Sequence, residues 1–238
     1  MQRLRGNAYL EDGAIDRWQL TPDGRHESPS DYVGWHLLVL DDRNRVQGGA
    51  RYVHRPADVA LNNFDVKRSA LASSLAWGNE LHAAVEQDRI VAQSKGLHYA
   101  EVGGWALSRE IRHTAEAIRT ALGLFALSRL LGGTIGITTA TLRNQSASIL
   151  QRIGGTPINV NNVPLPSYYD PQYKCMMSIL RFDSSTPDPR YEAKIERIRR
   201  DLGRAVVTCS PESADTQDLS QLASKFAEYS SIRAYPQP

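Results

Sequence analysis

The sequence predicts an α/β fold: a mixed, mostly antiparallel central sheet with a V-shaped splay, flanked by helices. Three observations carry this expectation. Apolar, β-branched runs alternate with helix-forming runs between residues 35 and 181. The strand expected at 97–107 holds two adjacent glycines, Gly103 and Gly104, in its middle. A strand bulged by glycine cannot pair fully with its next neighbour, so two strands splay and leave backbone groups open. An arginine-bearing loop (108–114), a long apolar helix (115–131) and a short strand (134–140) follow directly.

The first clear element is a hairpin, with strands at 35–40 and 46–53 around a polar turn at 41–45. Gly48-Gly49 in the return strand marks a bulge or a close backbone approach. Residues 66–95 are mostly helix formers, in two pieces near Gly78. Leu71, Leu75, Leu81, Val85 and Ile90 are their expected inward anchors, and Gly96 the stop. The helix at 115–131 carries Ile118, Leu122, Phe125 and Leu130 on one stripe and ends at Gly132-Gly133. A short helix at 144–153 with a polar start ends at Gly154-Gly155. A loop with a strand-like stretch covers 157–171, and 173–181 is a final apolar strand. These elements define one domain over 1–183. Residues 184–238 are expected to form a linker and helical tail, with a charged helix at 191–204 and a second candidate at 218–230.

At 238 residues, 41% hydrophobic and 23% charged, the chain is long and apolar enough to bury a core without staples. Twenty-eight basic and 26 acidic side chains nearly cancel, which argues against a nucleic-acid partner. Only five of the basic residues are lysines, and a surface rich in arginine suits the bidentate grip of phosphate or carboxylate. Two cysteines make neither a disulfide framework nor a zinc site, and Cys175, inside an apolar strand, reads as a small buried hydrophobe. The six histidines show no metal-ligand spacing. No secretory h-region and no run of about 18 apolar residues is present, so a cytoplasmic protein without an integral membrane segment is expected.

The chemistry concentrates in residues 97–155. An open strand edge offers hydrogen bonds to an amide-rich ligand arm, and the N-terminus of the 115–131 helix offers free N–H groups and a positive dipole end to a phosphate. Here Arg112-His-Thr-Ala-Glu-Ala117 resembles the Arg/Gln-x-x-Gly-x-Gly/Ala loop of the GCN5-related N-acyltransferases, with Ala115 in place of the first glycine. Asn144 and Ile149-Leu-Gln-Arg-Ile-Gly-Gly155 resemble that superfamily's later helix. Over about residues 31–155 the resemblance narrows to the acyl-homoserine lactone synthases and the related N-acyl amino acid synthases. It rests on Asp31-x-x-Gly34-x-His36, on Gly48 and Arg51 as a Gly-x-x-Arg strand end, and on Glu101-Val-Gly-Gly104-Trp105-Ala106-Leu107 for the strand bearing Glu-x-x-Arg-x-Ala-Val. The glutamate matches; Gly104 stands where the family has arginine.

The resemblance implies transfer of a long-chain acyl group from acyl carrier protein or acyl-CoA to the amine of an amino acid or related small molecule. The acyl-pantetheine donor is then a co-substrate, and no cofactor stays bound. With no signature for S-adenosylmethionine, an acylated amino acid or amine is expected rather than a lactone. Glu101 is the expected base, with a structural ion pair to Arg51 as the alternative. Trp105 lines the acyl path or is a core tryptophan, and Arg51 serves the acceptor or an internal ion pair. The backbone around Trp105, Ala106 and Leu107 supplies the oxyanion donor. Arg112 and the amides of Thr114, Ala115, Glu116 and Ala117 hold phosphate. Arg109 supplies the charge missing at Gly104, or grips phosphate or the carrier protein. Asn144 lies near the pantetheine or is a plain N-cap. Tyr168 or Tyr169 is the candidate acid for the leaving thiolate, and His36 an assisting or structural histidine. Two rival expectations are an acetyl-CoA-dependent N-acetyltransferase and a non-catalytic module that binds an acyl ligand or a protein.

Overall fold

The computed structural model describes residues 1–56 and 59–205. Its elements are α1 (Gln2–Glu11), β1 (Trp35–Leu40), β2 (Val46–His54), α2 (Gly78–Ser94), β3 (His98–Leu107), α3 (Ala115–Leu130), β4 (Thr134–Thr141), α4 (Ser146–Arg152), β5 (Thr156–Pro157), β6 (Asn159–Val160), β7 (Val163–Pro164), β8 (Tyr168–Asp170), β9 (Cys175–Asp183) and α5 (Glu192–Leu202). Seven strands form one sheet in the order β1-β2-β3-β4-β9-β5, with β8 also on β9, and β6-β7 is a separate ribbon. Only β3 and β4 run parallel, joined by the α3 crossover; all other pairs are antiparallel.

Side-chain alternation along the central strands builds a core on each face. Ala100 and Val102 meet Leu122, Phe125 and Leu130 of α3 on one face, together with Ile195 of α5. Tyr99, Ile135 and Ile137 meet Phe64, Val66, Leu81 and Val85 on the other. The charged helix expected in the tail is therefore packed on the body of the fold as α5, with Ile195 fully buried and Arg129 of α3 paired to Glu192 and Glu196. The helical candidate at 218–230 and Cys209 lie outside the described residues.

Two local expectations change. Residues 61–77 are short 3₁₀ turns and loop rather than a first helical piece, with Leu61, Phe64, Val66 and Leu71 buried in one cluster. Leu75 is consequently exposed and Ile90 faces solvent from α2, while Leu71, Leu81 and Val85 are buried. The helix expected from 144 starts at Ser146, behind Gln145 in a left-handed conformation (φ 57°). The Gly48-Gly49 expectation holds: Gln47 is the extra residue against Val39 and Leu40, and a Cβ on Gly49 would lie 2.7 Å from the Leu37 carbonyl oxygen. Helix α1 carries little signal in the sequence. Its pattern is weakly amphipathic and interrupted by Gly6, yet a Cβ there would lie 2.7 Å from the Gly24 carbonyl oxygen, so glycine is required for packing. No described helix is long and apolar enough to cross a membrane.

Candidate active site

The splay is built by the β2–β3–β4 register. Arg51 opposes Gly103 and Gly49 opposes Ala106, so Gly104 and Trp105 of β3 together face only Ala50 of β2. This is a bulge, and Gly104 takes φ +61° to form it. Pairing of β3 with β4 ends at Glu101–Ile137. Beyond that point β4 stays on β9 through Thr141, while β3 stays on β2 through Leu107. The two strands diverge into the walls of a cleft of about 540 Å³ lined by 102–107 and 138–141. Glu101 sits at its vertex; Arg112, Ala117 and Asn144 reach it from the mouth, and Ala121, Leu124, Ile149 and Leu150 form an apolar side.

Glu101 is 6% exposed. Its Oε2 accepts from Arg55 (Nε at 2.8 Å, Nη2 at 2.6 Å) and from the Asp65 amide (2.9 Å). Among the described residues its Oε1 accepts only from the Val66 amide, at 2.8 Å. The internal partner is thus Arg55, not Arg51. Burial pushes the carboxyl above its ordinary range, against the opposing pull of Arg55 and the two amides. A carboxylate has about four lone-pair sites, so Oε1 keeps one unassigned.

Arg51 is 7% exposed and bridges two carboxylates, Asp31 (2.5 Å) and Asp65 (2.5 Å). Its Nε is buried without a hydrogen-bond partner among the described residues. Asp31 also takes two bonds from Arg5, at 2.9 and 2.5 Å. Burial alone would raise the Asp31 carboxyl, but Arg5 and Arg51 hold it well below the usual carboxylate range. Arg5 lies on α1, and its Nη1 is 2.9 Å from where a Cβ on residue 104 would be. Arg5 thus places a guanidinium beside Gly104. Arg109 lies elsewhere, outside the cleft lining: its side chain is 77% exposed and paired with Glu11 at 3.2 Å. No sequence pattern linked Arg5 to Gly104; the contact depends on α1 crossing β3.

The remaining residues divide. Trp105, Ala106 and Leu107 line the cleft, and Trp105 also packs on the α3 core with its Nε1 unpartnered. Arg112 and Ala117 line the mouth; Ala115 and Glu116 are outside the lining set. Thr114 caps α3, its hydroxyl accepting from the Glu116 amide at 3.1 Å. Asn144 is no N-cap: its Nδ2 donates to Asp12 at 2.9 Å. Tyr168 is buried in the lining, whereas Tyr169 points to solvent and is not part of it. His36 is tied by Nε2 to the Asp31 carbonyl at 2.9 Å, in a structural position behind the ion pairs. Cys175 is buried, as a small hydrophobe would be.

No family model and no curated protein matches the chain. Among solved structures it is similar to BjaI, a CoA-dependent acyl-homoserine lactone synthase with SAM and isopentyl-CoA. That match has TM-score 0.51 and 16% identity, covering 83% of this chain and 79% of that one. It is similar to TofI in a ternary complex with an inhibitor and MTA (TM-score 0.50, 12% identity, 82% and 86% covered). FeeM, an N-acyl amino acid synthase from uncultured soil microbes, gives TM-score 0.47 at 12% identity, with 77% and 82% covered. At such identities the likeness is one of fold. The mixed α/β sheet with its splay is the GCN5-related N-acyltransferase-like architecture expected from the sequence.

Proposed function

We propose that the chain is an N-acyltransferase that moves a long-chain acyl group from acyl-CoA or acyl carrier protein to the primary amine of an amino acid or related small molecule. The observation that carries the reading is the separation of β3 from β4 at Glu101, with a buried carboxylate at the vertex of an open-edged cleft. The likeness of fold to a CoA-dependent synthase is consistent with it.

The amine nitrogen attacks the thioester carbon, forming the C–N bond of an amide and breaking the C–S bond. The amine proton passes to the open lone pair on Oε1 of Glu101, whose raised pKa suits it to accept. The oxyanion is met by backbone N–H groups of β3 beyond Val102, where no strand partner exists on the β4 side. The departing thiolate accepts a hydrogen bond from Tyr168, whose hydroxyl burial keeps protonated, and leaves as the thiol with the proton that Glu101 took from the amine. Arg51 Nε, buried and unused, is the donor left for the acceptor. Arg112, Asn144 and the start of α3 hold the donor phosphate. A cleft of about 540 Å³ suits a drug-sized ligand, and its apolar side favours an acyl chain over acetyl.

The test uses purified protein with acyl-CoA and acyl carrier protein donors of graded length and a panel of amines, read by mass spectrometry. An acylated amine that falls at least about 100-fold with a folded Glu101→Gln variant is the expected result. Full turnover by that variant, or no product from wild type with either donor, overturns the proposal.

A further inference from the structure

We infer that the C-terminal end of α1 is an anion latch: Glu11 and Asp12 occupy, from within the chain, the grip meant for the donor's phosphates, and the donor enters by exchanging with them. The inference rests on the donor-site reading proposed above.

The two carboxylates hold three side chains from two other loops. Arg112 Nη1 meets Asp12 Oδ1 at 2.8 Å, and Asn144 Nδ2 meets Asp12 Oδ2 at 2.9 Å. Glu11 Oε2 takes Arg109 Nε at 3.2 Å and lies 3.7 Å from Arg112 Nη2. Guanidinium and amide donors that converge on carboxylates are the donor set that also recognises phosphate. Beside Asn144, Arg143 lines the cleft and makes no hydrogen bond or ion pair among the described residues. Arg109 and Arg112 thus face two carboxylates when the latch is closed, and Arg143 adds a third cation to the cleft lining. Exchange of those two charges for a pyrophosphate diester, which carries two, leaves the local balance unchanged.

The helix itself argues that these carboxylates are not there for its own stability. The C-terminal end of a helix carries the negative end of its dipole and favours cations. The last turn of α1 has no basic residue, and its end carries Glu11 and Asp12. Local energetics oppose that placement, and the arginines across the cleft offset it. Conflicts of this kind between local preference and tertiary contact are expected at functional sites.

The two ends of α1 are fastened unequally. Arg5 is 2% exposed where it meets Asp31, whereas at the mouth Arg109 is 77%, Glu11 39% and Arg112 26% exposed. Exposed pairs are weak and screened, and buried pairs are costly to break. The mouth end is therefore the one that releases, with the Arg5 end as pivot.

The experiment is titration calorimetry of the full chain with coenzyme A and, separately, inorganic pyrophosphate. Wild type is compared with the double variant Glu11→Gln/Asp12→Asn and with Glu86→Gln/Asp201→Asn, a charge-matched control on α2 and α5 outside the cleft. The double variant is expected to bind both probes about tenfold tighter, with the control unchanged and the gain lost on adding Arg112→Ala. Tighter pyrophosphate binding without any coenzyme A binding supports the latch and removes the donor reading. Coenzyme A binding of equal strength to wild type and double variant overturns the latch and leaves the donor reading standing. An equal gain in the control, or no binding of either probe by the double variant, also overturns the latch.

Discussion

Asp31→Asn tests the electrostatic floor beneath the cleft. The Asp31 carboxylate is 9% exposed as a residue and accepts from Arg5 twice, from Arg51, from Gln2 and from the Ser28 amide. Asparagine keeps the shape and one acceptor oxygen but points an NH₂ at a guanidinium. Arg5, fully buried, then has only His26 as a further side-chain partner among the described residues, through Nδ1 at 3.2 Å and the carbonyl oxygen. Removing one partner of a buried ion pair costs about 3–5 kcal/mol, a large part of the roughly 5–15 kcal/mol that holds a domain together. In urea, with a slope near 2 kcal/mol/M, the midpoint is expected to fall by about 2 M. The pH dependence supplies an internal control. The folded pKa of Asp31 lies below its unfolded value, so its contribution is present above the unfolded pKa and fades as pH falls through the folded one. The gap between wild type and variant is therefore expected to hold from pH 7 to 5 and to narrow below about pH 4. A loss under about 1 kcal/mol at pH 7 would refute the claim that the cluster is a desolvated, mutually dependent set.

Two further outcomes follow from the same geometry. Gly104→Ala must place a Cβ at φ +61° and 2.9 Å from Arg5 Nη1; the combined strain and displacement are expected to cost about 2–4 kcal/mol, lowering Tm by roughly 6–12 °C in a thermal scan. A change under about 2 °C would show that the bulge does not depend on glycine. His26, whose Nδ1 accepts from Arg5 Nε, is held down to about 4, first by burial and then by the Arg5 charge. Its unfolded form takes up a proton near pH 6.5 and its folded form only near 4, so folded stability is lost as pH falls through that window. His26→Gln is expected to flatten the loss by on the order of 2 kcal/mol between pH 6.5 and 4; parallel curves for the two proteins would exclude His26 as its source.

Much of the fold was legible because its signals are local. The β1–β2 hairpin, β3, α3 and β4 stand within a residue or two of their expected bounds. Each is written in a repeat of 2.0 or 3.6 residues, or in a paired glycine stop. The splay was legible for the same reason, since Gly103-Gly104 changes the backbone where it stands. Leu75 and Ile90 mark the limit of this reasoning. Their spacing is right for an inward stripe, but which side of a segment meets the sheet is decided by what else packs there.

The sequence by itself determined the order of elements, the bulged strand and the positions of Glu101, Arg51 and Arg112. Tertiary structure alone decided their partners. Glu101 is held by Arg55 and two amides from the 64–66 turn, Arg5 fills the space beside Gly104, and Asp12 sits between Arg112 and Asn144. Those contacts join residues that are 35–132 positions apart. Backbone periodicity carries no information over such separations. Buried charges find their partners only when packing has removed water and left each one the choice of a counter-ion or a prohibitive desolvation cost.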